Sequence, residues 1–229
     1  MSIQIMTKIE NVRVGVIHAL MNSIEPTQAA FEDCWSEAGV AHLLDGSLYL
    51  DRSRGTADEL EISSRIDRLI QYCESTGAEA ILFTGSFFGD AVRLARDHVK
   101  VPVLTSFEGL VDRALGLGRP LRVLSTAAES APLLVAELEQ EATRRSSAVS
   151  AAGHVIPDAM DALLSGDSEL HDRLIVDAVR ETDPAEVVLF AQFTMERVLR
   201  QCVEVRDAPV FSPATEGALR LRQVIYEKI

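Results

Sequence analysis

The chain has 229 residues, 47% of them hydrophobic and 25% charged, which is ordinary for a soluble enzyme and enough to bury one large core or two small ones. A net charge of −13 with no basic cluster argues against nucleic acid or an anionic membrane as partner, and the acidity itself reads as a source of solubility. Three cysteines, Cys34, Cys73 and Cys202, form no Cys-x-x-Cys pair, and their odd number argues against a secreted disulfide framework.

Residues 1–10 are too polar for a signal peptide, and no apolar run approaches the roughly 20 residues of a membrane span; the protein reads as cytoplasmic. Residues 12–17 (Val-Arg-Val-Gly-Val-Ile) have the form of a first buried strand, ending at His18. Pro26 opens a helix through about Ala38, 40–44 is a short second strand, and 45–55 reads as a polar loop. Ile62, Ile66, Leu69, Ile70 and Cys73 recur at helical spacing, predicting a helix over 57–75. The apolar run 80–83 is the next strand. It stops at Thr84, Gly85 and Ser86, where a helical pattern starts at once, with its helix over 90–99, and 101–104 is a further strand followed by a helix over 108–115. The second half restarts with a strand at 121–124, a helix from Pro132 to about Arg145 and a weak strand within 148–156. Helices punctuated by Pro157 and Gly166 follow, then a buried strand at 187–190 with a helix over 194–203, a strand at 208–211 and a terminal helix. All three cysteines fall in helical-looking segments among apolar neighbours and read as buried and inert.

Two stretches repeat. Residues 78–83 (Ala-Glu-Ala-Ile-Leu-Phe) return at 185–190 (Ala-Glu-Val-Val-Leu-Phe), an offset of 107 positions; Pro102-Val103 returns as Pro209-Val210, and Glu108-Gly109 as Glu216-Gly217. Strands alternating with helices give an α/β protein with parallel sheets, and the echo argues for duplication into two similar lobes, 1–117 and 118–229, with the last helix free to cross over. Open α/β sheets place their ligands at strand carboxyl ends, near helix N-termini. Two related strand ends, at 84–86 and 191–194, therefore suggest one site built from both lobes.

Other motifs fall away. No Gly-x-Gly-x-x-Gly follows a strand and no Walker A sequence occurs. The histidines, His18, His42, His98, His154 and His171, show no ligand spacing, so no metal site is expected. Gly166-Asp167-Ser168 resembles a lipase signature but reads as a helix cap. Ser86 follows a strand as a nucleophile would, yet a Gly-x-Ser-x-Gly elbow needs glycines where Thr84 and Phe88 stand, so Ser86 reads as a ligand donor or a helix N-cap.

Taken together, 14–20 (Val-Gly-Val-Ile-His-Ala-Leu), 81–89 (Ile-Leu-Phe-Thr-Gly-Ser-Phe-Phe-Gly), 123–126 (Val-Leu-Ser-Thr) and 189–195 (Leu-Phe-Ala-Gln-Phe-Thr-Met) resemble the aspartate/glutamate/hydantoin racemase superfamily, with arylmalonate decarboxylase and maleate isomerase among its relatives. The resemblance spans nearly the whole chain. It implies two Rossmann-like lobes with parallel sheets related by pseudo-twofold symmetry, an active-site cleft between them and no cofactor. The implied substrate is a small carboxylate or hydantoin-like molecule, and a homo-oligomer is common among similar proteins. In that family the positions of Gly85 and Gln192 usually carry two cysteines, whose thiolates exchange a proton on opposite faces of the substrate's α-carbon; a thiol of unperturbed pKa about 8.5 suits this once lowered. Neither Gly85 nor Gln192 can do so.

The reading carried forward is a cofactor-independent racemase or isomerase acting at the α-carbon. Its alternatives are an arylmalonate-type decarboxylase, or a variant that lost a thiol at Gly85 and only binds a small carboxylate. The proton carrier is then expected from Glu216, Glu129 or His18. Thr84, Ser86, Ser125, Thr126 and Thr194 are the expected ligand donors and contacts, with Phe87 and Phe193 as pocket wall. Glu108 is the counterpart of Glu216 in the first half.

Overall fold

Eight short strands set the frame of the computed structural model, which describes residues 12–227; the segment 1–10 considered above lies outside them. In chain order the first elements are β1 (Arg13–His18), α1 (Ile24–Cys34), β2 (Gly39–Leu44), α2 (Gly46–Arg54), α3 (Glu59–Ser75), β3 (Ala80–Phe83), α4 (Gly89–Ala95) and β4 (Val103–Leu104). They continue with α5 (Glu108–Leu115), β5 (Leu121–Ser125), α6 (Ser130–Arg144), β6 (Ala151–Val155), α7 (Ala159–Leu164), α8 (Ser168–Glu181), β7 (Val187–Phe190), α9 (Leu199–Glu204), β8 (Val210–Phe211) and α10 (Pro213–Glu227).

The strands form two four-stranded parallel sheets of identical order, β2-β1-β3-β4 and β6-β5-β7-β8. Such sheets bury both faces, so their inner strands read as unbroken apolar runs. In β7 the two faces separate by alternation. Val187 and Leu189 pack with α5 and α6, whereas Val188 and Phe190 pack with Ile175 and Val179 of α8. In β3, Ile81 and Phe83 face a core of Ile66, Ile70 and Val92. The opposite face brings Leu82 against α10, where a side-chain carbon on Gly217 would lie 3.2 Å from Leu82 Cδ1; the Glu-Gly pair at 216–217 thus has a packing reason. The two-residue strands β4 and β8 are each preceded by a proline, Pro102 and Pro209. Proline has no N–H to donate, but its carbonyl still accepts, from Ile81 N at 2.9 Å and from Val188 N at 3.0 Å.

Two expectations change. Residues 45–55 are not a loop: α2 is capped by the Asp45 carboxylate, which accepts from Ser47 N, and is closed by Gly55 at φ 62°. The helices expected at 90–99 and 194–203 are broken, with 3₁₀ turns at Arg96–His98 and Phe193–Val198 and α-helix only over α4 and α9. The chain divides into two compact units at Ser106/Phe107, where Phe107, Leu110, Val111 and Ala114 pack with β5 and β7. The first unit runs to Ser106 and takes back the chain from Gly217; the second is Phe107–Glu216. Among the described residues no helix is long and apolar enough to cross a membrane.

Candidate functional site

In the first unit, the polar residues at the carboxyl ends of β1 and β3 form one hydrogen-bonded set. His18 closes β1, and the 3₁₀ turn Met21–Ser23 folds the chain back so that Ser23 Oγ lies 2.7 Å from His18 Nδ1. Thr84, just past β3, places Oγ1 at 3.1 Å from the same nitrogen and 3.2 Å from Ser23 Oγ. On its other side His18 Nε2 is 2.8 Å from His42 Nδ1, and His42 Nε2 is 2.9 Å from Gln28 Oε1. Gln28 Nε2 in turn donates to Glu32 Oε1 at 2.7 Å. His18 is fully buried, and burial, assisted by the neighbouring His42, lowers its pKa to about 3; burial lowers His42 as well. Both rings are therefore neutral at pH 7. His42 and Gln28 open onto a surface pocket lined also by Met21, Asn22, Ile24 and Glu25.

Gly85 follows Thr84 with φ −96° and ψ 101°, extended backbone that any residue adopts. Space, not conformation, requires the glycine. A Cβ there would lie 2.7 Å from Phe88 Cδ2 and 2.8 Å from Phe83 Cε1, two buried rings packed edge to face. The room for a thiol is occupied by aromatic carbon.

In the second unit the counterpart position, Gln192 after β7, holds its amide oxygen in a nest of three donors. Thr126 N donates at 2.6 Å, Thr126 Oγ1 at 3.0 Å and Ala127 N at 3.2 Å. Ser125 Oγ donates to Ala127 O at 2.9 Å, tightening the same turn. Two residues beyond Gln192, the Thr194 hydroxyl is buried without a hydrogen-bond partner. The Glu196 carboxylate accepts from Ser212 Oγ, from Thr215 Oγ1 at 2.8 Å and from Thr215 N at 3.4 Å. Glu216, in the first turn of α10 after β8, is the one acidic residue in the buried class among the described residues. Burial raises its pKa to about 7; nearby Arg113 opposes the rise and nearby Glu196 adds to it.

The structure thus gathers His18 and Thr84 in one set, and Ser125, Thr126 and Gln192 in another, with Glu216 buried in the second unit. It assigns other tasks to several expected residues. Ser86 is not a cap: the short 3₁₀ turn it opens has Gly85 at its N-cap position and no side-chain cap. Phe87 lies under the Arg52 guanidinium, 4.1 Å from its ring centre, beside Tyr49, and Phe193 is buried. Glu129 is exposed and Glu108 half-buried. Asp167 caps α8 through Leu170 N, as the Gly-Asp-Ser reading expected. Burial pushes the Cys73 and Cys202 thiols up to about 11 and about 12, which makes them inert, while Cys34 is only half-buried. Among the described residues no group of three or more His, Cys, Asp or Glu is placed to hold a metal ion.

Sequence reasoning missed His42, Ser23 and Gln28. Parallel pairing sets His18 opposite Leu44, so His42, two residues back on β2, projects on the same side of the sheet. The 24-residue separation hides this until the register is known.

A protein-family model described as Asp/Glu/Hydantoin racemase matches residues 27–221. Among solved structures, an aspartate racemase homologue from Pyrococcus horikoshii OT3 matches with a TM-score of 0.70 at 15% identity, covering 94% of this chain and 99% of that one. Allantoin racemase from Klebsiella pneumoniae gives 0.67 at 15% identity, covering 95% and 89%, and a glutamate racemase isoform from Bacillus anthracis gives 0.67 at 13%, covering 94% and 82%. A search of curated proteins found no match.

Proposed function

The chain belongs to the Asp/Glu/hydantoin racemase family, and from that premise we propose that it is a cofactor-independent racemase or isomerase acting at the α-carbon of a small carboxylate or hydantoin-like substrate, with Glu216 in place of a thiol as acid–base group. The observation that carries this reading is Glu216 itself: a buried carboxyl with no hydrogen bond to its side chain among the described residues and a pKa raised to about 7. A group half ionised at neutral pH both takes and returns a proton. As carboxylate it removes the α-proton, the C–H electron pair moving into the adjacent carbonyl to give an enolate. As carboxylic acid it returns a proton to carbon, with inversion when the planar enolate has turned its other face to Glu216.

The remaining roles follow from what is committed and what is free. The backbone amides of Gly85 and Ser86 serve as donors to ligand oxygen, as does Thr194, whose buried hydroxyl has no other partner, while Thr84, whose own proton is directed to Ser23 and His18, offers its oxygen to a ligand O–H. Ser125 and Thr126 act indirectly, holding the Gln192 amide in its nest. Phe193 and Phe87 border the two strand ends. A recently vacated thiol site is disfavoured by the closure of Phe83 and Phe88 around Gly85. A decarboxylase that protonates through a thiol at the second position is disfavoured by Gln192.

The test is α-hydrogen exchange in D₂O, followed by proton NMR, on aspartate, glutamate, allantoin, 5-substituted hydantoins and 2-arylpropionates. Exchange on one of these is expected, and Glu216→Gln is expected to slow it by about 10²–10⁴-fold, the usual worth of a positioned acid–base group. A chain that exchanges none of them, but whose Tm rises with a carboxylate, is a binding protein instead.

A further inference from the structure

The second titratable cluster, on the first unit, is not used by Glu216 chemistry and has a definite direction. A carboxylate only accepts hydrogen bonds, so the Glu32 contact orients the Gln28 amide with its nitrogen toward Glu32 and its oxygen toward His42. His42 must then carry its proton on Nε2, which leaves Nδ1 bare to accept from His18 Nε2–H. His18 Nδ1 is bare in turn, and accepts from a hydroxyl of Ser23 or Thr84. Ser23 has one proton and two acceptors at 2.7 Å, His18 Nδ1 and the Leu20 carbonyl, and Thr84 stands behind it as a second donor. One exposed carboxylate thus sets the tautomers of two histidines, one of them fully buried.

We propose that Thr84, Ser23, His18 and His42 form a proton relay from the end of β3 to the surface pocket at Gln28, with His42 as its outer terminus. The contacts from Ser23 outward are 2.7–2.9 Å, and no gap interrupts the chain. In one transfer the O–H bond of a ligand carboxylic acid at the end of β3 breaks, leaving the carboxylate, and its proton bonds to a lone pair of the Thr84 oxygen. The Thr84 proton passes to Ser23 oxygen as the Ser23 proton passes to His18 Nδ1, the His18 Nε2 proton moves to His42 Nδ1, and the His42 Nε2 proton breaks its bond to Gln28 Oε1 and leaves to water in the pocket. One proton enters and one leaves. Both rings end neutral in the opposite tautomer, consistent with an environment that disfavours imidazolium. Returning a proton to the ligand carboxylate runs the chain backwards and restores both tautomers. His18 and His42 act through Thr84 and touch no ligand in this scheme; they are relay and positioning residues. The use of the relay in turnover rests on the reading of Thr84 as ligand-facing, whereas its existence does not.

The test needs no substrate. In ¹⁵N-labelled protein, long-range ¹H–¹⁵N spectra are expected to show both rings as neutral Nε2–H tautomers at pH 7, with His18 keeping that form down to pH 5. An Nδ1–H tautomer at His18, or an imidazolium at His18 at pH 6, overturns the proposal. Conduction is read from solvent exchange of the His18 Nε2 proton. His42→Gln keeps an acceptor for that proton but cannot pass one on, so its exchange is expected to slow tenfold or more. An unchanged or faster rate, as expected if His42 only fills space, also overturns the proposal. Gln28→Leu, at the half-buried outer end, leaves the His18–His42 pair intact and is expected to release the His42 tautomer; if His42→Gln fails to fold, an unaltered tautomer in Gln28→Leu overturns the proposal. If the spectra behave as expected while the carboxylate panel shows no exchange, the relay stands and the enzymatic reading fails. With an active substrate, His42→Gln is expected to lower kcat tenfold or more at unchanged KM.

Discussion

At Gly85 the neighbours decide what a side chain would cost. The backbone accepts any residue, but a Cβ meets Phe88 and Phe83 at 2.7 and 2.8 Å, and both rings are buried. Gly85→Cys is therefore expected to destabilise the chain by about 1–3 kcal/mol, the usual cost of overpacking a core, seen as a lower midpoint in urea with an unchanged slope. The double variant Gly85→Cys with Phe88→Leu should recover part of that loss, and failure to recover any would mean the clash lies elsewhere. Gln192 presents the converse case. Gln192→Leu removes the acceptor shared by Thr126 N and Ala127 N, at an expected cost of about 1–3 kcal/mol for stranded donors, whereas Gln192→Glu keeps an acceptor and should cost less. Both positions were legible in the sequence, because each ends an apolar run in a repeated motif. What fills the space around them was not. The Phe83–Phe88 packing and the Thr126 nest depend on side-chain directions that a motif does not carry, and the His18–His42 contact depends on a strand register.

At the scale of elements, the strands were readable because burial on both faces forces continuous apolar runs, and β3 and β7 sit where those runs sit. The helix α2 was not readable for the opposite reason. Only Leu48 of its nine residues is buried, so no apolar stripe marks it, and it is held by polar contacts instead. Arg65 of α3 reaches Asp51 at 2.6 Å and Asp45 at 2.8 Å, and hydrogen bonding to Arg65, together with Ser47 for Asp45 and Thr56 for Asp51, holds both carboxyl groups below their ordinary range. Their native pKa values being depressed, this contribution is complete above the ordinary carboxylate range and is lost as pH falls through the lowered values. Arg65→Met is accordingly expected to raise amide hydrogen exchange across Gly46–Arg54 and to expose that segment to protease, while β1 and β3 keep their protection. Equal loosening of the strands would mean that α2 is integral to the core rather than fastened onto it.

For the molecule as a whole, the two units carry buried titratable groups whose pH effects have opposite signs. Glu216, in the second unit, has a native pKa of about 7 against an ordinary 4.5, so between those values the native chain holds a proton the unfolded chain has lost. Stability is greatest below pH 4.5 on this account and falls as pH rises to 7, by on the order of 3 kcal/mol if the whole shift is expressed. His18, in the first unit, has a native pKa of about 3 against an ordinary 6.5. Here the unfolded chain gains the proton first. Stability is complete above pH 6.5 and falls as pH drops toward 3, with His42 acting in the same direction. Between pH 4.5 and 6.5 the two slopes oppose, so a global melting curve understates both. Native-state hydrogen exchange, corrected for the intrinsic pH dependence, separates them by strand. Protection of β1 and β3 is expected to rise with pH across that window, while protection of β5 and β7 falls. Glu216→Gln should flatten the second slope and leave the first unchanged. Protection that changes with one sign in both sheets would show that these groups do not govern their own units, and would remove the basis for assigning acid sensitivity to the imidazole chain and neutral-pH sensitivity to Glu216.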